Sequence, residues 1–187
     1  MRSILPALCL PLLVALSLTA QAAQAEKWSQ ASYVWDSEAL LEPGQRPAEL
    51  DALRNAGMDK IYLGLKAAQI KDLGTTRHRL EQLLRDAAGK GVQVSLLLGD
   101  PSWIEPPERH QLTDLLAKLR GLAFISLHLD LEVEQLGVPV PDQRLKDWLE
   151  TLRIASSVSP WPVEISFPLR FPPYPSPPLF SSPLDRK

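Results

Sequence analysis

The chain has almost no cysteine. The only one among its 187 residues is Cys9, which lies in an apolar run at the N-terminus. If that run is removed on export, the remaining protein can form no disulfide and offers no thiolate to a metal. A lipoprotein signal would need a small residue just before the cysteine, and Leu8 occupies that position. We therefore expect neither a cross-linked scaffold nor a lipid anchor.

Long hydrophobic runs are also scarce, and the single one predicts an export signal. Arg2 supplies a positive start, residues 4–18 are apolar apart from Pro and Ser, and small residues follow up to Ala25. This order is typical of a signal peptide with an A-x-A cleavage site. We predict a signal at residues 1–25 and an exported protein, periplasmic or secreted, with no stable membrane anchor after cleavage. A permanent anchor is the alternative, which the shortness of the run disfavours.

Strong charge of either sign is missing. Lysine and arginine number 20 and aspartate and glutamate number 22, so the formal net charge is −2. The cationic residues form no basic stripe, and nucleic-acid binding therefore has little electrostatic support. A mildly acidic exported protein fits a neutral or cationic substrate better than a polyanion.

The C-terminal segment, residues 168–187, is rich in proline. It holds seven of the 18 prolines of the chain. Proline can neither continue a helix nor donate to a strand ladder, so we expect no regular element there. The segment is predicted to be a disordered tail; the alternative is that the chain departs from its own pattern because of a truncation or a shifted reading frame.

Short strand-like runs alternate with amphipathic helical runs between these two ends. This alternation is typical of βαβ units and a parallel sheet. The apolar spacing predicts strands at 32–36, 60–65, 92–98, 124–132 and 163–167, and helices at about 47–57, 76–89, 108–120 and 142–156.

Four of the predicted strands have one apolar face and one polar face. A doubly wound sheet is covered by helices on both faces and should be apolar on both, so a (β/α) barrel with a polar lumen explains the pattern better. An eight-stranded barrel needs roughly 200 residues or more, whereas removing the first 25 residues leaves 162. For a domain at 26–167 we predict an α/β fold that is the N-terminal part of a (β/α)8 TIM-barrel-like fold, with about five βα units. An open parallel α/β sheet is the alternative.

Residues 124–132 carry the strongest chemical signal. Leucine or isoleucine occupies every second position, and the other face presents Ser126, His128, Asp130 and Glu132. Ligands meet the carboxyl ends of the strands in parallel α/β folds. The acidic end of this strand therefore points to an active site.

Carboxylates at strand ends, with an aromatic ring nearby, are what glycoside hydrolysis requires. We predict Glu132 as the general acid, because partial desolvation and a neighbouring carboxylate would both raise its pKa. Asp130, two residues away on the same face, would hold and tune it. The alternative is an acidic strand end that only caps the next loop.

Four further residues are predicted to contact substrate. Asp36 and Asp100 follow the first and third strands, Trp103 lies in the loop after the third, and His128 shares the polar face of the fourth. An aspartate before a turn is often only a turn residue, and Trp103 could equally anchor its loop. Trp35 is assigned to the outer face of the first strand and to the core.

The sequence HLDLE at the end of the fourth strand, behind βαβ units and a signal peptide, resembles secreted bacterial glycoside-hydrolase-like TIM barrels. The chitinase-like family 18 group carries D-x-x-D-x-D-x-E on that strand. The resemblance implies that Asp130 matches the third aspartate and Glu132 the catalytic glutamate. The first two aspartates fall on Ile125 and His128, and Leu131 stands where related families often have asparagine. The resemblance implies a hydrolase-like barrel that acts on an extracellular or envelope carbohydrate, either a polymer or an oligosaccharide. It does not imply chitin as the substrate.

Two other classes of protein stay open. His128, Asp130 and Glu132 could ligate a divalent metal in a metal-dependent hydrolase. Alternate strand residues lie about 6.6–6.8 Å apart, however, so a common ion is disfavoured and we predict neither a metal nor another cofactor. The third class is a non-catalytic carbohydrate-binding or envelope protein, or an inactive truncated chain.

Overall fold

The computed structural model describes residues 29–166. The predicted signal at 1–25 and the predicted tail at 168–187 lie outside these residues. Five strands alternate with six α-helices and two 3₁₀ helices along the described chain. In order they are β1 (Ala31–Val34), α1 (Glu38–Leu41), α2 (Arg46–Asn55), β2 (Lys60–Gly64), α3 (Ala67–Lys71), α4 (Leu73–Gly89), β3 (Gln93–Leu98), a 3₁₀ helix (Pro101–Ile104), α5 (Arg109–Leu119), β4 (Leu127–Leu129), a second 3₁₀ helix (Val133–Leu136), α6 (Asp142–Val158) and β5 (Val163–Ile165).

The five strands form one parallel sheet in the order β1-β2-β3-β4-β5. The predicted α/β class and its parallel sheet are therefore confirmed. Right-handed crossovers between successive neighbours all pass on the same side of a sheet. The sheet is thus singly wound, as in a (β/α) barrel, and lacks the reversal of strand order that defines a doubly wound fold.

The hydrophobic core lies between the helices and one face of the sheet. Alternation along the strands turns every second side chain toward it. The helices contribute the stripes expected from their 3.6-residue period. Buried core residues of the sheet are Ile61, Leu63, Val94, Leu96, Leu98, Leu127 and Leu129, and those of α4 and α5 are Leu80, Leu83, Leu84, Ala87, Leu112, Leu115, Leu116 and Leu119.

Two helical details differ from the prediction. The short helices α1 and α3 were not expected, since four or five residues are too few to show a periodic pattern. The apolar spacing along α6 predicts that both Trp148 and Leu149 lie in the core. Trp148 is buried, but Leu149 is exposed. Within residues 29–166, no helix has the length and apolar character needed to cross a bilayer.

The sheet is strongly curved. Strand register places Glu164 of β5 in the same row as Gly64 of β2, four residues beyond Lys60. In a flat sheet the Cα atoms of Lys60 and Glu164 would be about 14 Å apart across the strands and about 13 Å along them. Their charged groups nevertheless meet at 2.9 Å, which requires the sheet to coil.

A second contact across the sheet shows the same stagger. Tyr33 of β1 lies two residues before the row of His128 on β4, yet the two side chains meet at 3.2 Å. The stagger between Lys60 and Glu164 is four residues over three strand steps, and that between Tyr33 and His128 is two residues over three strand steps. Together they average one residue per strand. A shear of 8 over eight strands, as in the TIM barrel, is also one residue per strand. The curvature therefore favours the barrel-like interpretation over a flat open sheet.

The fourth strand is shorter than predicted. Only Leu127–Leu129 form β4, although the expectation was 124–132. Phe124 is buried in the core, edge to face against Trp161 with ring centroids 5.5 Å apart, and Ile125 is exposed. The strict alternation therefore fails before Ser126, because the Phe124 ring is drawn to the helical side.

Candidate functional site

Polar and aromatic side chains line the concave face of the sheet, opposite the core. Each comes from an alternate position of a strand, so period-two geometry places them together. The residues are Tyr33 of β1, Lys60 and Tyr62 of β2, Ser95 of β3, Ser126 and His128 at β4, and Glu164 and Ser166 at β5. The polar lumen predicted from the sequence is thus present as a polar concave face.

His128 stands at the centre of this face and is only 5% exposed. Its Nε2 lies 3.2 Å from the Tyr33 hydroxyl and 2.9 Å from Oγ of Ser166. Its Nδ1 has no hydrogen-bond partner within residues 29–166 and is 3.7 Å from Oε2 of Glu164. Burial lowers the pKa of His128, although the carboxylates of Glu164 and Asp130 act in the opposite direction. The imidazole is therefore neutral at pH 7.

Lys60 and Glu164 form an ion pair across the concave face. The Lys60 ammonium donates to both carboxylate oxygens, at 2.9 and 3.1 Å, and lies 4.5 Å from the centroid of the Tyr62 ring. Burial opposes both charges, but the pairing outweighs it: the pKa of Lys60 is raised, and the pKa of Glu164 is lowered by Lys60 together with the hydroxyls of Ser126 and Tyr62. Both groups therefore stay charged at neutral pH.

Aromatic rings cover the β1–β2 part of the face. Tyr33 and Tyr62 stack with centroids 4.8 Å apart, and Tyr33 also stacks with Trp35 at 6.2 Å. The assignment of Trp35 to the core is wrong, since its side chain is 55% exposed. Alternation puts Trp35 on the same side as Tyr33, which is the concave side.

The two predicted acids lie beyond β4 and differ in their surroundings. Asp130 is partly buried, and its amide donates to the Leu98 carbonyl, which extends the β3–β4 pairing by one residue. Glu132 is exposed at the start of the second 3₁₀ helix, where its carboxylate accepts a hydrogen bond from Gln135 at 2.5 Å. The partial desolvation expected for Glu132 is therefore absent, because the chain leaves the sheet before reaching it.

Asp36 and Asp100 lie at strand ends as predicted, and both make turn contacts. Asp36 accepts from the amide of Glu38 and pairs with Lys66 at 2.7 Å; that hydrogen bond with Lys66 is the main reason why the pKa of Asp36 is lowered. Asp100 accepts from the amide of Ser102 and caps the first 3₁₀ helix. Both side chains are exposed at the carboxyl edge of the sheet.

Trp103 is 5% exposed and belongs to the core, where its carbonyl accepts from the Thr151 hydroxyl. A ring this buried has no open face for stacking on a sugar. The role that its position fits is that of a loop anchor, the alternative left open by the sequence. The only exposed tryptophan in the described residues is Trp35.

The sequence-based reasoning did not single out Lys60, Glu164 or Tyr33 for the site. The alternation Val-Glu-Ile-Ser at 163–166 does place Glu164 on the polar face, but sequence alone gives no reason to pair it with a lysine 104 positions away. No group of three or more His, Cys, Asp or Glu side chains in residues 29–166 is arranged to hold a metal ion. The metal alternative on His128, Asp130 and Glu132 therefore has no support from the geometry.

Comparison with known proteins adds no family. No protein-family model matches the chain, and none of the curated proteins matches it significantly. The architecture and the side chains of the site are therefore the observations from which a function must be argued.

Proposed function

We propose that this chain is an exported glycoside-hydrolase-like protein that binds a carbohydrate polymer or oligosaccharide at the carboxyl edge of its curved sheet. The observation that carries the proposal is the singly wound, barrel-like sheet with a polar and aromatic concave face. Ligands of parallel α/β folds bind at that edge. Export rests on the N-terminal sequence alone.

The chemistry of the edge supports a sugar ligand. Asp36, Lys66, Asp100 and Asp130 supply carboxylates and an ammonium at this edge, which also carries the exposed indole of Trp35. Sugars present hydroxyl groups along their rims and C–H groups on their ring faces, so they need polar partners beside an aromatic surface. The mixture of both signs of charge suits a neutral ligand better than a polyanion.

The binding test uses hexasaccharides of β-linked glucose, N-acetylglucosamine and glucosamine, titrated into the purified protein by calorimetry. We expect at least one to bind, and Asp130→Asn to weaken that binding by about tenfold, the loss of one hydrogen bond to a charged group. Asp114→Asn is the matched control, because Asp114 is exposed on α5, on the helical side. If no saccharide binds the unaltered protein, the proposal fails.

Turnover is tested separately, by release of reducing ends from the saccharide that binds. The sequence assigns the acid/base role to Glu132, with Asp130 as its partner, and removal of a general acid typically costs 10²–10⁴ in rate. Glu132→Gln should therefore abolish measurable hydrolysis if the protein is an enzyme. An unchanged rate would remove Glu132 from the mechanism. Binding without any turnover would identify the non-catalytic carbohydrate-binding form, which the exposure of Glu132 favours.

A further inference from the structure

Trp35 lies beside two glycines, Gly64 and Gly99, at the ends of the next two strands. It follows β1 directly, and strand register puts it beside Gly64, the last residue of β2. Its Cη2 atom lies 3.7 Å from the position that a Cβ would take at Gly99, just after β3. The indole therefore extends from β1 past the end of β2 to Gly99, at the end of β3.

The ring is held in place although more than half of its surface is exposed. It stacks with Tyr33 at a centroid distance of 6.2 Å and an interplanar angle of 19°. Tyr33 is itself fixed by stacking on Tyr62 and by its contact with His128. A surface fixed in this way loses little conformational entropy when a ligand covers it.

Polar groups border the ring on the sides where a bound sugar would place its hydroxyls. The carbonyl oxygen and Cβ of Asp130 lie 3.0 and 3.6 Å from the Cβ position of Gly99, so Asp130 is next to the far end of the indole. The ion pair of Asp36 with Lys66 follows at the next residue along the chain. An exposed aromatic ring with charged residues next to it in the chain and at the neighbouring strand end suits the apolar face and polar rim of a pyranose.

We propose that Trp35 is a sugar-stacking platform, which binds one pyranose ring between the Asp36–Lys66 pair and Asp130. This inference rests on the proposed function and names the aromatic part of the same site. It replaces Trp103, whose burial excludes that role. The ligand class is a neutral pyranose, because its axial C–H groups form an apolar face that can lie flat on the indole.

The test compares the unaltered protein with Trp35→Ala and Trp35→Phe in titrations with the three hexasaccharides named above. We expect Trp35→Ala to weaken binding about thirtyfold, the loss typical of a tryptophan at the centre of an interface, and Trp35→Phe to weaken it less. Leu149→Ala is the matched control, since it truncates an exposed apolar side chain on α6. The thermal midpoint of all variants should stay close to that of the unaltered protein, because each altered residue is exposed.

A two-dimensional NMR spectrum supplies an independent readout. The indole N–H signal that disappears in Trp35→Phe identifies Trp35, and it should shift on titration while the signal of buried Trp103 stays in place. If a saccharide binds and Trp35→Ala binds it equally well, the platform is overturned and the proposed function stands. If none of the three saccharides binds the unaltered protein, both the stacking platform and the proposed function are refuted.

Discussion

The ion pair between Lys60 and Glu164 gives a direct test of the curved sheet. The pair joins β2 to β5 over the concave face, with N–O distances of 2.9 and 3.1 Å. Glu164→Gln keeps the shape of the side chain but removes its charge. The Lys60 ammonium, whose side chain is only 14% exposed, would then lack its counter-charge.

The free energy of unfolding lost in Glu164→Gln should lie between the value for breaking a surface ion pair and the value for breaking a buried one. Exposed pairs contribute about 0–1 kcal/mol, whereas breaking a buried pair costs about 3–5 kcal/mol. The Glu164 side chain is 35% exposed, so solvent screens part of the interaction. We therefore expect Glu164→Gln to lower the free energy of unfolding by about 2 kcal/mol, equivalent to about 6 °C in thermal midpoint.

Urea unfolding of a double-mutant cycle measures the interaction itself. The cycle combines Glu164→Gln with Lys60→Met, and we expect a coupling of about 1–1.5 kcal/mol. The exposed pair Glu150–Arg153 on α6, at 2.7 Å, is the matched control, and Glu150→Gln should leave the free energy of unfolding almost unchanged. Independent, additive effects of the two concave-face substitutions would show that β2 and β5 do not approach each other in solution, and would refute the barrel-like curvature.

Two further predictions concern the same face and its edge. The pKa of His128 is lower in the folded protein than in the unfolded chain, so the unfolded chain binds a proton more readily. The stability contributed by the neutral, buried imidazole is therefore complete above pH 6.5 and is lost as the pH falls through the lower folded-state pKa. Urea unfolding between pH 7 and 5 should show this loss, and His128→Gln should flatten it; an unchanged pH slope would contradict the burial argument. Gly99→Ala would place a Cβ 3.0 Å from the Asp130 carbonyl oxygen and should lower the free energy of unfolding by about 1 kcal/mol or more. Gly74 lies in α4 with open space around its Cβ position, so Gly74→Ala should raise the free energy of unfolding by up to about 1 kcal/mol. Equal effects of the two glycine substitutions on the urea midpoint would show that the Gly99 edge is not closely packed.

Local patterns predicted the fold because they are properties of neighbouring residues. The apolar stripes of α4 and α5 and the oily faces of β2 and β3 follow from periods of 3.6 and 2, which any window of ten residues displays. The consecutive strand order also follows, since a polar second face is incompatible with helices on both sides. The short helices and the exact ends of β4 did not follow, because tertiary contacts such as that of Phe124 with Trp161 decide them.

The site was predicted less well because its contacts join distant parts of the chain. His128 and the strand-end positions of Asp36, Asp100 and Asp130 could be found from the pattern alone. The partner of Lys60 could not, since pairing it with Glu164 depends on the stagger of the coiled sheet. Trp35 was placed on the wrong side because a four-residue edge strand leaves too few positions to fix which face is buried.

The concave face divides into a closed part and an open part, and the division separates structural from functional residues. Ser95, Ser126 and His128 are almost wholly buried. The two serine hydroxyls bond to each other, and Nε2 of His128 contacts the hydroxyls of Tyr33 and Ser166. Such layers fill the interior of a barrel and stabilise it. The carboxyl edge, with exposed Trp35 and partly buried Asp130, is open to a ligand. Substitutions in the closed layer should therefore act through stability, and those at the edge through affinity.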